Sequence, residues 1–527
     1  MTNLDFERFL SSRLGRRNLL VGAGALAGFA MTTQFPNRVI ARPKFSGYPF
    51  TLGIASGDPY PTSVVLWTRL APTPLNGGGM PNHNVPIRWQ VATDPGMKRV
   101  VARGTEMAVP ELAHSIRVVV EGLRPNRWYW YQFKAGGEIS PIGRTKTAPA
   151  VRSSLDRFVF AMVSCQHYEQ GFYTAYQHLV KEDLDLVVHL GDYIYEGEPS
   201  ANRPRQHNSS EIFTLEDYRN RHALYKTDSN LQAAHSAFPW IVTWDDHEVE
   251  NNYADEISQL DTEPDQAREI FRLRRALAYQ AYYEHMPLRP FSKPVGPDMR
   301  LYRRLTFGNL AEFNVLDTRQ YRTDQPCGDG TKERCPEVFD PNATITGERQ
   351  EGWLLKGLNR SQAKWNILAQ QVPIAQRDMR PGEGQTFSMD KWDAYLASRD
   401  RLLKFLAARK PSNPVSLAGD VHSNWAMDLK ANFDVPESAT LGSEFVCTSI
   451  SSGGDGADSN PIVEAYLPDN PHIKFYNGQR GYVRCTLTRN LWQSDYRVVP
   501  FVTTLGAPIS TRASFIVEDG QPGVKQV

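Results

Sequence analysis

The hydrophobic pattern changes character near residue 150. Between 45 and 148, short alternating or apolar runs recur at Val64–Thr68, Ile87–Ala92, Ile116–Val120 and Trp128–Phe133, separated by turn-rich stretches such as Leu75–Pro81 and Asp94–Gly96. Runs of that length between Gly, Pro and Asn clusters predict strands. The segment reads as a small β-sandwich without a catalytic constellation. From Phe158 onward, strand-like runs alternate with helical patterns, which predicts a layered α/β domain over 155–515, joined by a linker around Thr145–Ser154. One long helix is expected over Glu263–Glu284, with Thr262 as N-cap and Pro264 in the first turn, and another over Lys391–Arg409. Beyond Gly481 the chain turns hairpin-rich, with candidate strands at Tyr482–Thr486 and Tyr496–Val502.

Residues 1–41 read differently again. Arg16-Arg17 precede a 12-residue apolar run, Leu19 to Ala30, too short to span a bilayer as a helix. A basic stretch before a short apolar one is a signal-peptide pattern, and paired arginines point to the twin-arginine translocase as a partner. Val39-Ile40-Ala41 is a candidate cleavage site, with Ala25-Leu26-Ala27 competing. An amphipathic anchor or a buried N-terminal helix is the alternative. Export would place the protein in the periplasm or outside the cell, with no transmembrane helix in the mature chain.

Composition adds limits. Of 527 residues, 41% are hydrophobic and 22% charged, as in ordinary globular proteins. Residues 1–41 hold five Arg and two acids, so a chain starting at Arg42 has 54 basic and 56 acidic residues, a net of −2. No basic stripe suggests a nucleic-acid partner. Among five cysteines, Cys327 and Cys335 flank a polar loop and could form a disulfide if the protein is exported. Cys447 and Cys485 sit in apolar runs as small hydrophobes. Cys165 is left over.

The candidate chemistry lies where apolar runs stop. Phe158–Ser164 runs into Cys165, and Leu186–Leu190 into Gly191, Asp192 and Tyr195. Ile241–Trp244 runs into Asp245, Asp246 and His247, with Asn251 and Asn252 beyond. Phe313–Leu316 runs into Asp317 and Arg319, and Val415–Ala418 into Gly419, Asp420, His422 and Asn424. If these strands share an orientation, the groups converge at their C-terminal ends, where open α/β sheets bind ligands. Several close carboxylates are costly without cations. Asp and Asn oxygens suit Ca²⁺, Mg²⁺ or Mn²⁺; a thiolate, a phenolate and an imidazole suit Fe³⁺ or Zn²⁺.

These residues carry a resemblance. GDYIYEG, with Asp192 and Tyr195, resembles the GDxxY motif of purple acid phosphatases, and GDVHSNW occupies the place of the closing motif of calcineurin-like metallophosphoesterases. The ordered set VSCQ, GDYIYEG, TWDDHEVENNY, LDTRQYR, LAGDVHSNW and TSISSGGDG more closely resembles the PhoD family of alkaline phosphatases and phosphodiesterases. That resemblance implies a calcineurin-like four-layer α/β/β/α sandwich preceded by a fibronectin/Ig-like β-sandwich. It implies one Fe³⁺ and one or two Ca²⁺, with Zn²⁺ or Mn²⁺ as alternatives. Carried over by position, Asp192 bridges, Cys165, Tyr195 and His422 bind Fe³⁺, and Asp420 and Asn252 bind Ca²⁺ with Asp246 a further candidate. His247 would stand near the substrate phosphate or leaving group. The wider superfamily opens with Asp-x-His; Cys165-Gln166-His167 stands there here, and the role of His167 is open.

Each residue has a plainer reading as well. His189 is expected to be a core histidine. Asp245 and Asp246 are adjacent and would face opposite ways in an extended chain, so one of them, Asp246, is expected as a ligand. Arg319 either clamps phosphate oxygens or pairs with Asp317. Trp240, Trp244, Trp353 and Trp365 read as core. Ser451-Ser452-Gly453-Gly454 is not a G-x-S-x-G nucleophile elbow. The expected function is an exported, metal-dependent hydrolase of phosphomonoesters, phosphodiesters or both, in which an activated hydroxide attacks phosphorus. A phospholipase-D-like diesterase on lipids or cell-wall polymers is one alternative. A non-catalytic cell-envelope binding protein is the other.

Overall fold

The computed structural model describes residues 44–527, so the expectation for residues 1–41 lies outside the described residues. Two large sheets pack face to face. The first has ten strands, with Arg157–Val163, Leu186–His189 and Pro239–Val242 running parallel at its centre. The second has seven, with Ala311–Val315, Trp365–Ala369, Pro414–Ala418 and Thr440–Val446 parallel. The central strands are continuous apolar runs because both faces are covered; Leu186–His189 is buried throughout. Phe160, Met162, Phe313, Ile367, Leu417, Phe445 and Trp492 fill the space between the sheets. The helices Leu215–Lys226, Ser229–Ala237 and Arg268–His285 cover the outer face of the first sheet, and Gly347–Leu358 and Leu396–Arg409 that of the second. The result is the expected four-layer α/β/β/α sandwich.

The N-terminal β-sandwich is present and shares a sheet with the rest. Its inner face comes from Val100–Ala108, Val85–Ala92 and Trp128–Ala135, the last alternating strictly, with Tyr129, Tyr131, Phe133 and Ala135 buried. A tyrosine corner of the kind found in such sandwiches is present: Tyr129 Oη accepts a hydrogen bond from the Arg124 backbone N–H at 2.8 Å. The facing strands, Ile54–Tyr60, Ser63–Arg69 and Ser115–Val120, extend the ten-stranded sheet. Ile54–Tyr60 pairs in parallel with Pro239–Val242, and a buried ion pair of 2.8 Å joins Arg303 to Asp58.

Two expected helices begin later than the pattern suggests. The first spans Arg268–His285 rather than Glu263–Glu284, after an extended Ala267. Asp265 is fully buried and accepts hydrogen bonds from Arg274 (2.8 Å) and Ser258 (3.2 Å), which holds the preceding turn off the helix axis. The second is a 3₁₀ turn, Trp392–Ala394, followed by Leu396–Arg409. Trp392 donates inward to Gln370 at 2.8 Å, and Lys391 is drawn toward Asp420. The hairpin expected beyond Gly481 pairs Arg480–Thr488 with Leu491–Val499, stopping short of the expected Val502 at Pro500, which has no N–H to donate. Cys327 and Cys335 are disulfide-bonded, and Cys447 and Cys485 are free and buried. Among the described residues no helix is long and apolar enough to cross a membrane.

Candidate metal centre

Five strands end at one rim, and their next residues meet there. Cys165 follows Arg157–Val163, Asp192 follows Leu186–His189, and Asp245–His247 follow Pro239–Val242. From the other sheet come Arg319, after Ala311–Val315, and Asp420 with His422, after Pro414–Ala418. Glycine permits the approach. Gly191 has φ +113°, and a Cβ there would lie 2.4 Å from Asp245 Cβ; a Cβ on Gly419 would lie 2.5 Å from Ser164 Oγ. Main-chain bonds then lock the rim, Cys165 N–H to Gly191 O at 3.0 Å and Gln166 N–H to Asp192 O at 3.0 Å.

Ligand-type atoms of Cys165, Asp192 and His422 lie within 4.8 Å of one another. The same holds for Asp192, Asp246 and His247, and for Asp245, Asp246 and Asp420. Asp192 therefore links one group to the next. Tyr195 Oη donates to Asp192 at 2.8 Å and stands 3.1 Å from His422 Nε2. Asn252 donates its main-chain N–H to Asp246 (2.8 Å) and its side-chain amide to Asp329 (2.9 Å). All nine candidate residues are thus drawn into one neighbourhood.

The donor set fits cations on three counts. Asp192 Oδ1, Asp245 Oδ2 and Asp246 Oδ1 are buried and have no hydrogen-bond partner, a costly state without a positive charge. Five carboxylates, Asp192, Asp245, Asp246, Asp390 and Asp420, face three obligate cations, Arg319, Arg322 and Lys391, an excess of two negative charges. Burial, then the Asp192 charge, pushes the Cys165 thiol and the Tyr195 phenol well above their usual ranges. Neither ionises as a ligand unless a metal supplies the compensating charge.

Arg319 is fully buried, and its guanidinium reaches Asp245 at 2.5 Å, Asp390 at 2.8 Å, Asp420 at 3.4 Å and Asp246 at 3.6 Å. The Asp317 carboxylate accepts its main-chain N–H instead. His247 Nδ1 is held by Glu196 at 2.7 Å, which leaves Nε2 uncommitted, and its ring packs on Tyr195 at 4.1 Å. His167 lies between Tyr195 and His207; burial and the neighbouring histidines push its pKa down to about 2, so it is neutral. His189 sits in the core against Trp240, its pKa pushed down to about 3 by burial. Trp240, Trp244 and Trp365 are buried in the core, while Trp353 packs partly buried against it.

The sequence assigns no definite role to several contributors. Glu248 accepts the N–H groups of Asp192 (3.1 Å), Tyr193 (2.6 Å) and Asp245 (2.8 Å), fixing two strand ends at once. Ser452 donates to Tyr195 Oη at 2.8 Å, and Lys391 to Asp420 at 2.6 Å. Glu196 and Ser452 lie inside the GDYIYEG and TSISSGGDG stretches, so the motifs pointed at them without assigning a role. Nothing local marks Lys391 or Asp390.

Comparison with known proteins decides the family. The PhoD-like phosphatase model matches residues 160–496, and the model of the PhoD-like phosphatase N-terminal domain matches 36–149. The chain belongs to the PhoD-like phosphatase family. Alkaline phosphatase D of Bacillus subtilis (strain 168) is 54% identical over 534 residues, covering 99% of this chain and 91% of that protein. A solved structure described as "Structure of PhoD" superposes with a TM-score of 0.90 at 56% identity, over 92% of this chain and 93% of that one. The PhoD-like phosphatase fold and the phosphoesterase class of this chain rest on these matches together.

Proposed function

We propose that this PhoD-like phosphatase is an exported metal-dependent hydrolase of phosphate esters. Cys165, Tyr195 and His422 would hold Fe³⁺, Asp192 would bridge, and Asp420, Asn252 and Asp246 would hold Ca²⁺. The observation carrying this reading is the convergence of three ligand groups, the first two sharing Asp192 and the last two sharing Asp246, with an orphaned oxygen on each of Asp192, Asp245 and Asp246. When bound, such ions lower the pKa of water and draw charge from a phosphoryl group.

The chain's own residues do the rest. Arg319 and Lys391 hold the carboxylates in place and offset part of their charge. Glu196 orients His247 through Nδ1, so that Nε2 is the nitrogen available to a phosphoryl oxygen or a leaving alkoxide. His422, with a side chain 35% exposed, marks the open side of the centre. The disulfide Cys327–Cys335 and the paired arginines of residues 1–41 support export.

Elemental analysis of the purified protein tests the metals. Turnover of p-nitrophenyl phosphate and of its bis-ester by the native chain and by Asp192→Asn tests the chemistry. Loss of both metal and turnover in Asp192→Asn is expected. Undiminished turnover would return the protein to the envelope-binding reading.

A further inference from the structure

Beside the metal centre, past His422, lies an open cleft of about 440 Å³. That volume suits a small organic group. His422 lines it, so the cleft opens directly onto the open side of the centre. Trp425, Tyr466 and Tyr476 form aromatic wall, and two arginines, Arg377 and Arg480, also line it.

The two arginines differ in what they already hold. Arg480 is spent on the protein: its guanidinium donates to the main-chain oxygens of Gly453, Gly454 and His422 and to the Thr448 hydroxyl. It ties the His422 turn to the 453–454 loop. Arg377 is 8% exposed, yet no hydrogen bond or ion pair among the described residues engages its guanidinium. Among the described residues no carboxylate comes within 4 Å of it. The guanidinium rests 4.9 Å from the centroid of the Trp425 ring, and its main-chain N–H is anchored to Asp393 at 3.1 Å. The nearby Glu444 is committed elsewhere, to the N–H groups of Ile374 and Ala375 and to Ser416.

The residue is largely buried, and its guanidinium is held against an indole at the cleft wall, where no protein acceptor meets it and an anion in the cleft can. A planar fork of donors suits a phosphate or a carboxylate. We propose that the cleft is the subsite for the alcohol portion of the substrate, and that Arg377 binds a second anionic group carried by that portion. The inference rests on the phosphoesterase reading and adds to it: the preferred substrates are phosphate esters whose leaving group bears a further phosphate or carboxylate.

The test compares three esters sharing one carbon skeleton: the monophosphate of 1,3-propanediol, its bisphosphate, and the phosphate ester of 3-hydroxypropionate. The readout is the ratio of kcat/KM for each doubly anionic ester to that for the neutral-tailed one. The native enzyme is expected to favour one or both by about tenfold or more, the worth of one charge-assisted hydrogen bond. The two arms report whether a carboxylate suffices or a phosphate is needed. Arg377→Gln is expected to bring the ratio close to one, and Arg377→Lys to retain part of it. A merely structural arginine would lower all three rates together and leave the ratio intact; that result overturns the proposal, as does a native enzyme with no preference. Hydrolysis of p-nitrophenyl phosphate in parallel separates the two levels. If that ester too is untouched by metal-loaded enzyme, the phosphoesterase reading itself has failed.

Discussion

Replacing Arg319 asks how the centre holds its own charge. Asp390 has other cationic partners, Arg322 at 2.9 Å and Lys391 at 2.8 Å, and Asp420 has Lys391 at 2.6 Å. Among the described residues Asp245 has only Arg319 as a cationic partner, at 2.5 Å, and its second oxygen is already without a partner. Arg319→Met therefore strands the Asp245 carboxylate and also removes the longer, 3.6 Å pair to Asp246, a loss of about 3–5 kcal/mol. Arg319→Lys keeps the charge, but one ammonium cannot meet Asp245 and Asp390 as two separate guanidinium nitrogens do. One charge-assisted bond goes, about 1.5–3 kcal/mol. Adding Asp245→Asn to Arg319→Met removes the stranded charge and should recover about 2 kcal/mol of the loss as a coupling energy. Urea unfolding of the metal-loaded proteins reads these differences, with KM for p-nitrophenyl phosphate alongside. Native-like stability in Arg319→Met, or strict additivity with Asp245→Asn, refutes the counter-charge role. A Lys variant of native stability but sharply raised KM would instead favour a phosphate clamp.

Two further outcomes follow from the surroundings of the site. Lys226 is buried with its Nζ donating to Tyr193 Oη at 3.0 Å and lying 4.5 Å from the Trp67 ring centroid, and burial pushes its pKa down to about 7 from 10.5. The unfolded chain keeps that proton up to its ordinary pKa while the folded chain releases it above about 7, so this group's contribution to stability rises with pH across that window. Lys226→Met is expected to be the more stable protein at pH 7 and below, by at most about 4–5 kcal/mol, with the gain fading toward pH 10; equal pH slopes for the two proteins would refute this. Opening the Cys327–Cys335 disulfide, by dithiothreitol or by Cys327→Ser with Cys335→Ser, frees the loop that sets Asp329 against Asn252. It should lower stability by about 2–3 kcal/mol and hasten loss of bound metal to a chelator, and a chelation rate that reduction leaves unchanged would detach that loop from the site.

The parts of the centre that could be read in the chain are those where a local rule and the tertiary structure agree. Leu186–Val188 is an uninterrupted apolar run because the strand is covered on both faces, and Gly191 marks its end because no other residue fits against Asp245. What could not be read depends on distant partners. Ile54–Tyr60, written IASGDPY, has the composition of a turn; it is a buried strand because Pro239–Val242 offers it an edge and Arg303 neutralises Asp58. Glu263–Ala267 has helix-forming residues, but Asp265 is claimed by Arg274 from the next two turns. Lys391 reads as the start of a helix and instead leaves it to meet Asp420, 29 positions away.

The backbone of the centre makes a separate case for bound cations. Seventeen non-glycine residues among those described have positive φ, and five of them are among the nine candidates: Cys165 (56°), Asp192 (57°), Asn252 (51°), Asp420 (64°) and His422 (52°). Asp and Asn tolerate this region because their short side chains can bond locally, so those three alone would be consistent with ordinary turns. Cys165 has no such excuse. It follows a buried strand directly, and its left-handed turn brings its sulfur within reach of Asp192 and His422. Each such residue costs on the order of 1 kcal/mol or more. The same five residues bring the clustered carboxylates and the thiol to the rim, so backbone strain and electrostatic repulsion are concentrated in one place. Turns alone would relieve neither; a multivalent cation offsets both, since it is attracted by the surplus charge and holds the strained side chains where the turns aim them.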